Sequence, residues 1–215
     1  MRRAYGLSIP ETLEETCDPA RMALLVYDMQ VGILGQIPDA AALTANVARV
    51  LDAARSAGVR VLYSRHLSLP VEMMGVFQLR MAMAWQRVRS VEDVHPWFLR
   101  GSAGMEISPE VAPLDREAVF DKITMSAFEG TWLDIALRDL GINAVGVVGA
   151  AIEVGIEPTV RHAADLGYIP VVVGDACGTG NREAAERSLA GLRFTGDALF
   201  TDTGTLCRLL SAPRS

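Results

Sequence analysis

Apolar and polar positions fall in blocks along this chain, and the blocks repeat. Met22 to Asp28 (MALLVYD) is a continuous apolar run ending in a carboxylate, the pattern of a strand covered on both faces. The following DAAALTANVARVLDAARSAG carries apolar residues at helical spacing, between a Pro38-Asp39 cap and a stop at Gly58. Further strands are expected over Val59 to Arg65, Glu117 to Lys122, NAVGVVG, YIPVVVGDA and the start of DALFTDTGTLCRLL. Helices are expected over TWLDIALRDLG, EPTVRHAADLG, REAAERSLAGL and the end of the chain. Strands alternating with helices predict an α/β domain with a parallel sheet sandwiched between helical layers. The site of such a sheet lies at the carboxyl ends of its strands. One domain over residues 21–215 is expected, after an arm over 1–20 whose Pro10 and Pro19 suit a segment wrapping the surface or a partner subunit.

One stretch departs from the alternation. PVEMMGVFQLRMAMAWQRV is apolar on nearly every turn, with Met73, Met74, Met81 and Met83 beside Phe77 and Trp85. The favoured reading is a helix packed on the core or at a dimer interface. The other is a lid over a pocket, since Met adapts to ligands. A Pro/Gly-rich loop, VHPWFLRGSAGMEISPEVAP, follows.

Composition narrows the function. Half of the 215 residues are apolar, enough for one sizeable core, and the net charge is -6. No basic run is present, which argues against nucleic acid as a partner. No apolar run approaches the roughly 18 residues that span a bilayer, so no membrane partner is expected. Arg2 and Arg3 are not followed by an apolar stretch, which argues against a signal peptide. Cys17, Cys177 and Cys207 are scattered, which suits a reducing, cytoplasmic location and inert core thiols.

Asp28, Lys122 and the turn from Gly149 to Gly155 all fall at carboxyl ends of expected strands. A carboxylate and an ammonium there form either a structural ion pair or a tuned acid/base pair, and periodicity leaves both open. The turn in VVGAAIEVGIEPTVRHAADLGY is where an α/β enzyme presents a nucleophile, yet Gly155 stands at the elbow. Glu153 and Glu157 bracket it. They read first as carboxylates favoured in the first turn of a helix, and otherwise as a base activating water. His162 reads as a packing or surface residue. Gln30 would share the face of Asp28 if the strand continued.

Three stretches, LLVYDMQVGIL, DKITMSAFEGTWLDIALRDLGINAVGVVG and AAIEVGIEPTVRHAADLGYIPVVVGDA, resemble in this order the isochorismatase-like hydrolases. That superfamily includes isochorismatases, nicotinamidases and carbamoylsarcosine- or biuret-type amidases. The resemblance spans about Met22 to Thr201. It implies a Rossmann-like three-layer fold with a six-stranded parallel sheet, and a homodimer or larger homo-oligomer. Most members use an Asp-Lys-Cys triad; the first two roles fall on Asp28 and Lys122, the third on Gly155. The resemblance also implies a non-proline cis peptide at Ala150–Ala151, with the N–H groups of Ala151 and Gly155 cradling an oxyanion or carboxylate. It places Gln30 and the Ala151 N–H near the substrate; Ile152, Glu153, Phe128 and Arg87 are further candidate contacts, with Arg87, Arg100 and Lys122 standing unranked as partners for a substrate carboxylate.

Amide hydrolysis through a thioester needs the missing thiolate. Phenazine- and siderophore-pathway isochorismatases also lack it and cleave a vinyl ether. The resemblance therefore implies that Asp28 protonates an enol-ether carbon, water adds to the oxocarbenium ion, and Gly155 enlarges the pocket where a thiol would sit. KITMSAF differs from the KWRYSAF of isochorismatases, and WFLRGSAGMEISPEVAP looks more like the amidase branch, so the substrate is left as a small, carboxylate-bearing molecule. The alternatives are an isomerase or lyase using the same pair, or an inactive binding homologue. Nicotinamidases hold a metal with an Asp and two His after the second strand; here only His66 is offered, so no metal and no cofactor are expected.

Overall fold

The computed structural model describes residues 1–212; the last three residues of the expected domain lie outside the described residues. The arm opens with a hairpin of β1 (Arg2–Ala4) and β2 (Leu7–Ile9), turned by Tyr5 and Gly6, both at positive φ, the conformation that lets a two-residue loop follow strand twist. A short helix α1 (Leu13–Thr16) follows.

The domain itself comprises β3 (Met22–Tyr27), α2 (Val31–Leu34), α3 (Ala40–Ser56), β4 (Arg60–His66), α4 (Val76–Gln86), β5 (Ala118–Lys122), α5 (Leu133–Asp139), β6 (Ala144–Ala150), α6 (Glu157–Asp165), β7 (Ile169–Gly178), α7 (Arg182–Thr195), β8 (Leu199–Thr201) and α8 (Thr203–Ser211). The strands form one parallel six-stranded sheet in the order β5-β4-β3-β6-β7-β8. Alternate side chains of β3 divide the core. Met22, Leu24 and Val26 pack beneath α3 and α8 with Val47, Leu51 and Leu206. Ala23, Leu25 and Tyr27 pack beneath α5, α6 and α7 with Leu137, Val160 and Leu192. Every residue of β3 and β6 is buried, as their unbroken apolar runs require.

The sheet grows outward in both directions from the β3–β6 pair, so the switch point, and the crevice it creates, lies at their carboxyl ends. The Met-rich stretch does not form a helix packed into the core, one of the two placements of its favoured reading. It breaks at Gly75 into a 3-10 turn (Val71–Met73) and α4, and α4 buries no side chain fully. Among the described residues no helix is long and apolar enough to cross a membrane.

Candidate active site

Asp28 is the first residue beyond β3, and its φ is +47°. Asp tolerates this left-handed conformation better than most residues. It turns the chain out of strand alternation and brings the carboxylate to the crevice. There Oδ1 accepts a 2.6 Å hydrogen bond from Ser64 Oγ, at the end of β4, and Oδ2 accepts a 2.7 Å bond from Lys122 Nζ, at the end of β5. Three neighbouring strands thus converge on one carboxylate. The Lys122 side chain is 0% exposed and that of Asp28 5%. The ammonium donates again to Thr124 O at 3.2 Å and lies 4.4 Å above the centre of the Tyr27 ring, a cation–π arrangement. Burial pushes the Lys122 ammonium below its ordinary range, and the Asp28 charge works against that shift.

The strand-to-helix turn after β6 contains the cis peptide Ala150–Ala151. Ile152–Ile156 then forms a single π-helical turn in which the N–H groups of Gly155 and Ile156 both donate to Ala151 O at 3.1 Å. The Gly155 N–H is thus engaged inside the turn, which corrects the expectation that it joins Ala151 in a cradle. Gly155 does not enlarge the pocket either. A Cβ built there would overlap Oη and Cζ of Tyr27 and lie 2.6 Å from Cε1. The phenol of Tyr27 already fills that space, with its hydroxyl donating to Met125 O. Burial, and then the charge of Asp28, hold that hydroxyl well above the usual phenol range, so it stays neutral. Gly149 serves the same residue from the backbone side: a Cβ there would lie 2.8 Å from Tyr27 N.

Above this floor opens a cavity of about 520 Å³, within the usual size for a small-molecule site. Asp28, Tyr27, Met125, Ala151 and Gly155 line its base, His66 one wall, and Trp85, Arg87, Trp97 and Phe98 its upper walls. His66 stacks edge-on against Phe98 at 5.8 Å. Burial, and then the nearby Lys122 charge, lower its pKa to about 4, so it presents a neutral imidazole at pH 7.

Of the expected substrate contacts, Ala151, Glu153 and Arg87 line the cavity. Arg87 caps α4 in the left-handed region, at φ +55°, and its guanidinium has no acidic partner among the described residues. Arg100 is instead paired with Asp121 at 3.1 Å. The Glu153 carboxylate accepts the N–H groups of Gly180 and Asn181 at 2.8 and 2.7 Å, and its second oxygen is shielded. Glu153 therefore buckles the turn to the start of α7. Glu157 is bonded to Arg161 and Ser188. Glu157 does not line the cavity, whereas Glu153 lines it with one carboxylate oxygen tied to α7 and the other without a partner.

Three expectations are corrected. Gln30 is buried away from the cavity: its amide accepts from His66 N–H and donates to His66 O and Met105 O. The strand ends at Tyr27, so the two-residue periodicity that placed Gln30 beside Asp28 does not apply. Ile152 points into the core. Phe128 stacks on Tyr168 and lies tilted against His162, and His162 is further bonded to Ser126 Oγ at 2.9 Å. Sequence reasoning missed Ser64, Tyr27, His66 as a wall residue, and Trp97. For Ser64 and His66 a signal existed, since both stand at the carboxyl end of β4. Cys177 is a core thiol whose pKa burial raises to about 12, and Cys207 stands in α8. Among the described residues no three His, Cys, Asp or Glu side chains gather as metal ligands would.

A switch-point cavity over a buried Asp–Lys pair defines an α/β hydrolase-type site. The isochorismatase domain matches residues 22–203, and the chain belongs to the isochorismatase family of hydrolases. It is 27% identical over 213 residues to the ureidoacrylate amidohydrolase of Serratia proteamaculans, covering 92% of this chain and 86% of that protein. An isochorismatase family protein from Desulfovibrio vulgaris superposes with a TM-score of 0.74 at 26% identity, over 89% of this chain and 98% of the other. A cysteine hydrolase from Pseudomonas syringae shares the fold, with a TM-score of 0.75 at 23% identity, over 89% and 93% of the two chains.

Proposed function

We propose that this protein hydrolyses a small, carboxylate-bearing molecule without a cysteine nucleophile, and that the bond cleaved is of the vinyl-ether type. The observation that carries this reading is the pairing of an intact Asp28–Lys122–Ser64 cluster with an elbow where Gly155 and the Tyr27 phenol leave no room for a nucleophilic side chain. Asp28 delivers a proton to the enol-ether carbon. Water adds to the resulting oxocarbenium carbon and returns a proton to the site, and the hemiketal collapses to a ketone and an alcohol. Lys122, 2.7 Å from Oδ2, resupplies the proton and orients the carboxyl group. Neutral His66 faces the same cavity and can hold the attacking water. Arg87 meets the substrate carboxylate, and the Ala151 N–H faces the reacting end.

The likeness to the ureidoacrylate amidohydrolase of Serratia proteamaculans favours a second reading, in which water attacks an amide or ureido carbonyl directly and Asp28 takes its proton. Turnover of a panel of enol ethers (isochorismate included), small amides and small ureas by wild type and Asp28→Asn separates the two. Enol-ether turnover that falls on the order of 10²–10⁴-fold in Asp28→Asn is the expected result. Turnover of amides or ureas alone sinks the vinyl-ether reading, and turnover indifferent to Asp28→Asn sinks both. A homodimer or larger assembly in the cytoplasm belongs to the same proposal, supported by Val76 and Phe77, which stand exposed on α4. A monomer mass at micromolar concentration overturns the assembly.

A further inference from the structure

We infer that Tyr27 and a side chain at position 155 are mutually exclusive occupants of one slot, and that Tyr27, by filling it, is a positioning residue for Lys122 that bars thiol chemistry from the elbow. The inference rests on the proposed function only in taking position 155 as the place of the nucleophile.

Several independent features hold Tyr27 there. Its backbone pairs with Ser64 on one side and Gly149 on the other. The absent Cβ of Gly149 lets that backbone close in, and the absent Cβ of Gly155 lets the ring close in. The hydroxyl is tied to Met125 O. Behind it Thr159 Oγ1 donates to Gly155 O at 2.7 Å and accepts the Ala127 N–H at 3.0 Å, locking the elbow to the loop after β5. The ring face left over lies under the Lys122 ammonium. Lys122 has three donors; Asp28 and Thr124 take two of them, and the ring supplies the remaining face. A group that fills a nucleophile's slot, cannot swing away, and holds the catalytic cation from beneath is part of the site, not packing beside it.

The test uses the full chain in a Cys207→Ser background, because Cys17 and Cys177 are buried and Cys207 is partly exposed. Tyr27→Leu removes all three atoms that block position 155. Gly155→Cys alone is expected to lower Tm by about 5–10 °C, as overpacking does. In the Tyr27→Leu background the same change costs little, a non-additivity that defines the shared slot. The double variant is then alkylated by iodoacetamide at position 155 under native conditions, at least about tenfold faster than Gly155→Cys alone. Equal Tm and equal labelling with and without Tyr27 overturn the shared slot. A folded double variant that is not labelled overturns its opening to the cavity. A Lys122 ammonium whose NMR titration is the same in Tyr27→Leu as in the parent, although the ring beneath it is gone, overturns the positioning of Lys122. If Gly155→Cys does not fold, Gly155→Ala in both backgrounds makes the same comparison, and an equal loss in each overturns the inference. None of these readouts needs turnover, so they stand or fall separately from the proposed reaction.

Discussion

The floor and the roof of the cavity are built on opposite principles. The floor is Asp28, Ser64, Lys122 and Tyr27, all buried, contributed by three adjacent strands and bonded to one another or to backbone. The roof is α4 with the loop carrying Trp97 and Phe98. Trp85 and Trp97 are partly exposed, and Val76 and Phe77 on the same helix are 80% and 74% exposed. A carboxylate with both oxygens bonded and a lysine with every donor direction occupied have one arrangement. Aromatic walls held by few contacts have several. In the proposed reaction the chemistry belongs to the floor and substrate choice to the roof.

Breaking the floor has the largest effect. Lys122→Met strands the Asp28 carboxylate without its cation in a buried site, and a loss of about 3–5 kcal/mol is expected in chemical denaturation. Adding Asp28→Asn recovers much of it. Wild-type stability in Lys122→Met would show that the floor is not held by this pair. A smaller effect comes from the wall between floor and roof. His66 has a folded pKa of about 4, below its ordinary 6.5, so the folded state binds fewer protons than the unfolded chain. Stability present above pH 6.5 is lost as pH falls towards 4. The Tm difference between pH 7 and pH 4.5 should shrink in His66→Gln; an unchanged difference places His66 in contact with solvent. The smallest effect on the fold is at the roof. Arg87→Gln should change stability by no more than about 0.5 kcal/mol. For a carboxylate substrate it should raise KM about tenfold with kcat nearly constant, and an unchanged KM removes Arg87 from substrate recognition.

The legibility of the molecule follows the same division. Asp28 and Lys122 could be placed at the crevice because each stands at the carboxyl end of a strand, a position that sequence marks. Arg87 and Ala151, both candidate contacts in the sequence, line the cavity. Gln30, Ile152 and Phe128 went astray because each lies just past a strand end or inside a turn, where periodicity no longer says which way a side chain points. Glu153 lines the cavity while one of its carboxylate oxygens is tied to the start of α7 by two bonds spanning 27 and 28 positions.

What the sequence by itself determined is the alternation of buried strands and amphipathic helices, the charged pair at the strand ends, and the glycine at the elbow. Local pattern suffices for these, since burial on both faces demands unbroken apolar runs and a glycine is visible as a missing side chain. Only the tertiary structure decided what occupies the space that glycine leaves. Tyr27 reads in sequence as one more apolar strand residue. Its ring meets Gly155 only because β3 and β6 are neighbours at the switch point, and two missing Cβ atoms let it approach. Contacts between such distant positions are set by strand order and close packing, which no local pattern records.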